Sequence, residues 1–313
     1  MITRRLVIGA AAAAIAPAVL RAAEPGLLRI VVAYPPGGVS DLMARLIADH
    51  LEQHLQRTVV ENQPGAAGTI ALSRLARRHG RGRTLVLCAT TPLALAHRLG
   101  IAVPRVVPVC GVMHTPQLLL GTSLLGGKNF EEAIAYARRN PGAVRWATSG
   151  VGTLGHLVLG QVAKTFDLDV VHVPYKGGGE QLHDALGGQF ELLSSNLAVM
   201  QISYVKAGRL DALALGAPAR CAPLPDVPTF AELGCPAANM SSLFGLFAAP
   251  GTPRSEVRRL NAALNVALSS PEISDAIRDT GNLSAGGPVA DFEAQIQRQA
   301  ALLDRAADDV NLR

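Results

Sequence analysis

Apolar positions along the chain alternate between two patterns. The run LRIVVAY at residues 28–34 is short, continuous and rich in β-branched residues, which predicts a buried strand. In residues 41–55 the apolar positions recur with helical spacing, with Met43 beside them. They predict a helix whose apolar face carries Leu42, Leu46, Ile47 and Leu51.

The same alternation continues to the end of the chain and predicts parallel sheets covered by helices. Further strands are predicted at 58–60, 84–89, 117–121, 144–147, 170–173, 190–193, 210–215 and 243–249. Further helices are predicted at 68–78, 129–139, 154–166, 180–186, 253–268 and 291–308. A long loop is predicted at 217–236, which is rich in Pro, Ala and Cys.

The first 23 residues break this pattern. Arg4 and Arg5 precede an apolar, alanine-rich stretch of about 15 residues, and small residues follow at Ala22 and Ala23. This arrangement is typical of a secretory signal peptide, and the stretch is shorter than the roughly 20 residues that span a bilayer. We expect residues 1–23 to be removed and the mature chain to be periplasmic. The sequence TRRLVI leaves the twin-arginine route open beside the general one.

Composition and charge narrow the possible partners. The signal contains three arginines and no acidic residue, so its removal lowers the formal net charge from +5 to +2. Aromatic residues make up only 4% of the chain. A nearly neutral chain with few aromatic side chains does not suit nucleic acid, and no nucleic-acid partner is expected.

Motifs for metals, cofactors and covalent chemistry are sparse. The four cysteines form no C-x-x-C pair, and Cys221 and Cys235 are either a disulfide or free thiols. His50 and His54 have metal-ligand spacing, but no further ligand motif completes a site, so a solvated helix face is expected. No G-x-S-x-G or H-E-x-x-H motif is present. We expect no metal and no cofactor.

Two glycine-rich loops each join a predicted strand to a predicted helix. In YPPGGVSD, Gly37 and Gly38 allow a ligand to approach the backbone, and Ser40 or Asp41 can cap the helix. ATSGVGTLGH repeats this construction, with Gly150 and Gly152 between the hydroxyls of Ser149 and Thr153. Free N–H groups at a helix start favour an anion, so the two loops together predict a clamp for a small molecule with negative groups.

The second loop also matches G-x-G-x-x-G, the outline of a dinucleotide-binding turn. That reading requires an acidic residue at the end of the next strand, but DVVHVPY has its acid at the beginning. Dinucleotide binding is therefore not expected. His156, Lys176 and Asn196 follow strands or begin helices near these loops, and each either contacts the ligand or makes only local contacts.

Six stretches of the chain resemble those of a known family. The stretches YPPGGVSDLMARLIADHL, ENQPGAAGTIALSRLA, ATSGVGTLGHL, VPYKGGGEQLHDALGGQFEL, LPDVPTFAELG and FGLFAAPGTP, in this order, are similar to substrate-binding proteins of tripartite tricarboxylate transporters, the Bug (TctC-like) family. The resemblance extends from about residue 27 to about residue 305. It implies an α/β protein with a type II periplasmic-binding-protein fold, in which two α/β domains joined by hinge strands close over a ligand.

The resemblance also implies domain bounds and site residues. One domain would comprise residues 24–118 plus 248–313 and the other residues 119–247, with hinges near 117–121 and 244–249. Ligand carboxylates would be held mainly by backbone N–H groups and waters of the two glycine-rich loops. The positions that match the family's ligand site are Tyr34, Pro36, Gly37, Gly38, Ser40, Asp41, Ser149, Gly150, Gly152, Thr153, His156, Tyr175, Lys176 and Asn196.

The sequence departs from the family's pattern in two places. Ser195 stands where members commonly have an Asp, which weakens the case for an amino-acid ligand. RGRTL at residues 81–85 replaces the usual Asp-Gly-Tyr-Thr-Leu and should affect only a loop.

The function expected is that of an exported, monomeric receptor. It would capture a small carboxylate, whether a di- or tricarboxylate, an aromatic acid or an amino acid, and deliver it to the membrane permease of a tripartite tricarboxylate transporter. It would not be an enzyme. The alternatives are an exported hydrolase that uses Ser149 and His156, for which no third orienting group is identifiable, and a signalling receptor without a transport role.

Overall fold

The protein is described by a computed structural model that covers residues 26–78, 83–102, 105–125 and 128–310. The predicted signal peptide, residues 1–23, lies outside the described residues, as does the beginning of the RGRTL sequence at 81–85. Of the helices in the described ranges, none has the length and apolarity that crossing a membrane would require.

Strands and helices alternate over most of the chain. The strands are β1 (Leu28–Val32), β2 (Thr58–Asn62), β3 (Thr84–Ala89), β4 (Val107–Gly121), β5 (Val144–Thr148), β6 (Val170–Pro174), β7 (Leu192–Asn196), β8 (Asp211–Gly216), β9 (Ser241–Ala248) and β10 (Leu283–Ser284). The α-helices are α1 (Val39–His54), α2 (Thr69–Ala76), α3 (Thr91–Leu95), α4 (Phe130–Arg139), α5 (Leu154–Phe166), α6 (Gly178–Leu186), α7 (Val199–Lys206), α8 (Arg254–Leu268), α9 (Pro271–Asp279) and α10 (Val289–Asp309).

Most elements lie where the periodicity predicts them, and five differ. Strand β4 begins ten residues before the predicted strand at 117–121, because its first part contains Pro108 and Gly111, which read as strand breakers. The pairing register shifts near both positions, so the strand absorbs them as irregularities. Helices α3, α7 and α9 and the two-residue strand β10 are not predicted at all. The sequence VMQISYVK of α7 has no one-sided apolar face, since only Gln201 and Ile202 are buried.

The buried face of α1 is turned relative to the prediction. Met43, Ile47 and Leu51 are fully buried, whereas the side chain of Leu42 is 37% exposed. The face that packs on the sheet therefore runs through Met43 and the small residue Ala44, because alanines at a helix surface let the helix approach the strands closely.

Strand pairing divides the sheet into two groups that share β4. The order is β2-β1-β3-β9-β4-β7-β5-β6, with β8 and β10 paired to β4 off this path. Residues Val107 to Pro116 of β4 pair antiparallel with β9, and Gln117 to Gly121 pair with β7 and β8. The partner of β4 therefore changes at Pro116, where one group of strands gives way to the other.

Each group of strands has helices on both of its faces. In the first group, α1, α8 and α9 cover one face and α2 and α10 the other. In the second group, α4 and α5 cover one face, and α6 and α7 cover the other. The core of the second group includes Trp146, whose Nε1 donates to Ser194 Oγ at 2.9 Å. This three-layer α/β arrangement agrees with the fold class that the alternation predicts.

The C-terminal helix α10 contacts both groups of strands. Gln299 Nε2 donates to Ser241 O of β9 at 2.8 Å, and Gln161 Nε2 of α5 donates to Ala306 O at 2.9 Å. Helix α10 therefore links the two proposed domains outside the sheet. The bounds of these domains, which come from the sequence, stay a prediction.

All four cysteines are free thiols, so the open question of a disulfide is answered in favour of unpaired residues. Cys235 is buried, with its Sγ 3.4 Å from Thr165 Oγ1. Cys221 is half-buried, and its backbone forms an isolated antiparallel β-bridge with that of Leu224.

Candidate ligand-binding cleft

A cavity of about 340 Å³ lies at the carboxyl ends of the strands. Its lining comes from segments that follow β1, β2, β3, β5, β6 and β7, and from β4 and β9 where the two groups of strands meet. Open α/β sheets bind ligands at this edge, because the loops that leave the strands there lead to helix starts.

The first glycine-rich loop forms one wall. Gly37 has a φ of +87°, a conformation that favours glycine, and Gly38 is the N-cap of α1. No side chain caps this helix, and a Cβ at Gly37 or Gly38 would meet no protein atom within 4 Å. The first N–H groups of α1 have no partner within the helix, and they begin at the cavity wall.

The second glycine-rich loop forms the opposite wall. Ser149, Thr153 and Leu154 line the cavity, and α5 begins at Leu154. The Thr153 hydroxyl donates to Gly150 O at 2.7 Å instead of capping the helix. Both predicted anion loops therefore face the same space.

Two further helix starts meet the cavity. Gly178, the first residue of α6, lines it, and so does Ala198, the N-cap of α7. No side chain caps either helix. With α1 and α5, four helix N-termini converge on one space, and each contributes the positive end of its dipole.

The lining is poor in ionisable side chains. Among the described residues no Asp, Glu, Lys or Arg lines the cavity, and His183 is the one lining side chain that can become a cation. Apolar residues such as Leu154, Leu182 and Phe244 also line it. A bound anion would therefore be held mainly by N–H and hydroxyl donors.

The predicted site residues separate into two sets. Eight of them line the cavity: Tyr34, Pro36, Gly37, Gly38, Ser40, Ser149, Thr153 and Asn196. The other six lie outside the lining: Asp41, Gly150, Gly152, His156, Tyr175 and Lys176. The role of either set in binding stays a prediction, but the second set has contacts that explain its position.

Asp41 supports the first loop from behind. Its carboxylate is buried and accepts hydrogen bonds from Gly37 N–H (3.0 Å), Arg45 (3.1 Å) and Asn62 Nδ2 (2.9 Å). Burial alone would raise the pKa of Asp41, but the hydrogen bonds from Arg45, Gly37 and Asn62 outweigh burial and hold the pKa below its usual value. Asp41 thus fixes the loop as a carboxylate and does not reach the cavity.

His156 supports the second loop in a similar way. Its Nδ1 accepts a hydrogen bond from the Gly152 N–H at 3.3 Å, and its ring stacks on His172 with ring centres 4.1 Å apart. His172 Nε2 lies 2.7 Å from the hydroxyl of Thr148. Burial, and after it the nearby His172, lowers the pKa of His156 to about 4, so the ring is neutral and able to accept.

The remaining four residues pack or point away from the cavity. Tyr175 donates its hydroxyl to Asp184 at 2.8 Å, and the Lys176 side chain is exposed. A Cβ on Gly150 would lie 3.2 Å from Tyr175 O, and one on Gly152 would overlap Leu99. The two glycines of the second loop therefore allow close packing of the loop against protein, whereas those of the first loop border open space.

The proposed Ser149–His156 dyad is not assembled. Ser149 lines the cavity and His156 does not, and the only hydrogen bond of the His156 ring among the described residues is to Gly152 N–H. His50 and His54 were considered above as a pair with metal-ligand spacing. Among the described residues, no group of three or more possible metal ligands forms around them.

Sequence reasoning missed a set of polar side chains on the cavity wall. They are Thr91, Gln117, Gln181, His183, Gln201, Tyr204 and Ser242. Ser195, which departs from the family's pattern, lines the cavity as well. Gln181 belongs to a predicted helix and lies three residues after the glycine-rich start of that helix. This position near a glycine-rich helix start could have marked it as a residue of the cavity wall. Gln201 belongs to α7, whose sequence gave no sign of a helix.

Comparison with known proteins agrees with this geometry. Residues 43–309 match the family model described as "Tripartite tricarboxylate transporter family receptor". The protein BugT of Bordetella pertussis is 33% identical over 261 residues, which cover 81% of this chain and 80% of BugT.

Solved structures show the same fold over nearly the whole length. One described as a periplasmic transporter superposes with a TM-score of 0.86 at 32% identity, covering 92% of this chain and 98% of that one. R. palustris Rpa4515 with adipate has a TM-score of 0.85 at 29% identity, covering 91% and 97%. MatC from Rhodopseudomonas palustris with bound malate has a TM-score of 0.82 at 27% identity, covering 91% and 98%.

Proposed function

The chain belongs to the tripartite tricarboxylate transporter family of receptors, which are solute-binding proteins, and from that premise we propose that it captures a small carboxylate in its cleft. It then delivers this ligand to the membrane permease of a tripartite tricarboxylate transporter. The observation that carries the proposal is the convergence of four helix starts without side-chain caps on one cavity.

The binding energy comes from charge-assisted hydrogen bonds. Backbone N–H groups at the helix starts and the hydroxyls of Ser40 and Ser149 are donors around the cavity. A hydrogen bond to a charged group contributes roughly 1.5–3 kcal/mol, more than a neutral one. Adipate and malate, the ligands of two related structures, are carboxylates of a size that such a cavity can hold.

The proposed ligand contacts are the predicted residues that line the cavity, with the loops at 36–41 and 149–153 as the two carboxylate sites. Asp41 and His156 act by positioning these loops. Gly150, Gly152, Tyr175 and Lys176 remain part of the proposal as supports of the second wall.

Capture occurs by closure of two domains, residues 24–118 plus 248–313 and residues 119–247. Contacts to both walls form only in the closed state, so the ligand shifts the population toward it. The protein acts as a monomer in the periplasm after removal of residues 1–23, and it releases its ligand unchanged.

The test is a thermal-shift screen of the mature chain with mono-, di- and tricarboxylates, aromatic acids and amino acids, together with mass spectrometry of co-purified small molecules. A ligand at 100 times its Kd stabilises the folded state by about 2.7 kcal/mol, which is a measurable rise in Tm. If no carboxylate raises the Tm, the proposal is wrong. Turnover of esters or amides that is lost in Ser149→Ala would instead identify an enzyme.

Gly38→Val tests the first wall. A side chain at Gly38 meets no protein atom within 4 Å, and its φ of −82° suits any residue, so the variant should fold with an unchanged Tm. Its side chain projects beside the helix start that the carboxylate approaches, so the affinity should fall by at least tenfold. Unchanged affinity, measured by calorimetry, would exclude the first loop from the ligand site.

A further inference from the structure

Arginines collect along the edge of the sheet that lies opposite the cleft. Strands β1, β2 and β3 are parallel, and β4 has the same direction because both β3 and β4 pair antiparallel with β9. The starts of these four strands and the end of β9 therefore lie along one edge, which we call the arginine edge. The cavity lies at the other ends of the same strands.

Six exposed arginines stand in the chain segments at the arginine edge. They precede strands β2, β3 and β4, follow helix α2 or begin helix α8 after β9, and they are Arg57, Arg77, Arg78, Arg83, Arg105 and Arg254. The backbone oxygens of Arg57 and Arg83 accept hydrogen bonds from N–H groups of β1, each at 2.9 Å. Arg78 Nη1 donates to Thr84 Oγ1 at the start of β3, at 3.4 Å. The six therefore belong to one surface, although they are far apart in the chain.

No acidic residue balances these arginines within their own segments. Asp and Glu are absent from residues 55–57, 77–78, 83, 105–106 and 249–254. None of the six arginines forms an ion pair among the described residues. Glu256 lies near Arg83, but it is already paired with Arg259 at 2.7 Å. The low net charge of the mature chain therefore conceals a concentration of positive charge, which attracts an anionic partner.

This concentration of charge is specific to one edge and to this chain. The edge at which β5, β6 and β7 start also carries acids, since Asp167 and Asp169 precede β6 and Glu191 precedes β7. Arg83 belongs to the RGRTL sequence and stands where the family's pattern has Tyr. Because β3 is the middle one of the five strands at the arginine edge, this exchange places a cation at the centre of the edge.

The shape and chemistry of the arginine edge suit an anionic bilayer better than a protein or a small anion. Five strands at a spacing of about 4.8 Å span about 19 Å, and none of the six arginines lines the cavity. Their segments contain no aromatic residue, and Leu55 is the one exposed large apolar residue there, whereas protein interfaces centre on aromatic and apolar anchors. Guanidinium groups match the geometry of phosphate, and cations are attracted to an anionic bilayer without any pocket.

We propose that the arginine edge binds the surface of an anionic phospholipid membrane. The contact is electrostatic, reversible and weakened by salt. Because the cavity lies at the opposite ends of the strands, the cleft stays open to solvent while the protein rests on the membrane. Attachment then restricts the search for a membrane partner to two dimensions. This inference goes beyond the proposed function and does not depend on what the cleft binds.

The test is co-sedimentation of the exported, processed chain, without an added tag, with vesicles of equal parts phosphatidylglycerol and phosphatidylcholine. At about 0.05 M salt the chain should bind these vesicles, and at about 0.5 M salt its partition coefficient should fall at least tenfold because the charges are screened. Vesicles of phosphatidylcholine alone should not bind it. Equal binding to both kinds of vesicle overturns the inference. No binding to the anionic vesicles also overturns it and leaves an acidic protein surface as the partner of the edge.

A triple variant assigns membrane binding to the arginine edge. Arg57→Gln, Arg83→Gln and Arg105→Gln together remove one cation ahead of each of three strands. The partition coefficient for the anionic vesicles at low salt should fall at least tenfold. The Tm should change little, because the three residues are exposed and form no ion pair among the described residues. Binding within twofold of the wild type would exclude the arginine edge.

The matched control removes the same charge from the second group of strands. Arg138→Gln, Arg139→Gln and Arg209→Gln together change three exposed arginines at the end of α4 and ahead of β8. This variant should bind the anionic vesicles within twofold of the wild type. An equal loss in both triple variants would show an effect of net charge alone and would overturn the inference. Neither variant alters a residue that lines the cavity, so carboxylate binding is tested separately.

Discussion

At the scale of single residues, the residues that shape this cleft divide into those that face the ligand space and those that hold the loops in place. Ser149 and Thr153 face the cavity, whereas Asp41 and His156 bind backbone N–H groups behind it. Sequence motifs cannot separate these roles, because both kinds of residue occur within a few positions of the same glycines. The supporting residues make predictions of their own.

Asp41→Ala should destabilise the protein and weaken carboxylate binding together. The variant leaves Gly37 N–H and one N–H of the Asn62 amide, whose other N–H bonds Tyr34 O, without an acceptor, which costs about 1–3 kcal/mol of unfolding free energy. It also frees the loop that carries Gly38. Urea denaturation and calorimetry check the two effects. Asp49→Ala, an exposed acid on the same helix, should change neither, and an equal effect of both variants would refute the supporting role.

His156 should make stability depend on pH. Its pKa of about 4 in the folded protein lies below the ordinary value of 6.5. Between these values the unfolded chain binds a proton that the folded protein excludes, so the unfolding free energy falls as the pH is lowered from about 6.5 to about 4. The loss from this residue is at most about 3 kcal/mol, and it stops below the folded pKa.

His156→Gln identifies this contribution, because glutamine does not titrate in this range. Denaturation at pH 7 and pH 5 should show a smaller loss in the variant than in the wild type. His172 and His114 also have pKa values lowered by burial, so some pH dependence should remain. His54→Gln, on an exposed part of α1, is the control, and an equal loss in wild type and His156→Gln would contradict the assignment.

At the scale of elements, helix starts and the long strand β4 determine where the site lies. Parallel strands such as β1 and β5 end at the same edge as the starts of the helices that follow them. The glycine loops were found because turn chemistry is local. Only the last five of the fifteen residues of β4 were predicted, because its Pro and Gly positions are tolerated through register shifts that depend on its neighbours.

Close packing of α10 on β9 gives a prediction at this scale. A Cβ on Gly245 would overlap the ring of Phe292, which is fully buried. Gly245→Ala should therefore lower the unfolding free energy by about 1–3 kcal/mol through overpacking. Gly187→Ala, at the end of α6 where a Cβ makes ordinary contacts, should not destabilise. Thermal melts of both variants measure the two changes in Tm. An unchanged Tm for Gly245→Ala would contradict this packing.

At the scale of the whole molecule, the two groups of strands share β4 and the helix α10 and enclose the cavity between them. Pro35 on the first loop approaches Gly177 at the start of α6, where a Cβ would lie 2.8 Å from Pro35 Cδ. If capture occurs by closure, this approach belongs to the closed state, and the fit of Gly177 against Pro35 limits how far the cleft can close.

Gly177→Val should therefore impair closure and not folding. The larger side chain meets Pro35 across the cleft, so carboxylate affinity should fall by tenfold or more while the Tm without ligand changes little. Small-angle scattering should show that added ligand no longer reduces the radius of gyration. Gly187→Val, at the other end of α6, is the control. Normal affinity and normal compaction in Gly177→Val would argue against closure at this rim.

The sequence by itself determined the fold class, the family and the two glycine-rich loops between strand and helix. These follow from local signals: hydrophobic periodicity, glycine and hydroxyl residues between strand and helix, and the order of several motifs. The same signals located Asn196 and Tyr34, which do line the cavity.

Only the tertiary structure decided which side chains face the ligand space. Gln181 and Gln201 lie on two different helices, and the atoms to which their amides are hydrogen-bonded belong to Ser194 and Ser195 on β7. The direction of such side chains depends on distant packing partners, as does the placement of His156 behind its loop. A local pattern fixes the type of element, but the free energy of burying or exposing one polar atom is set by neighbours far away in the chain.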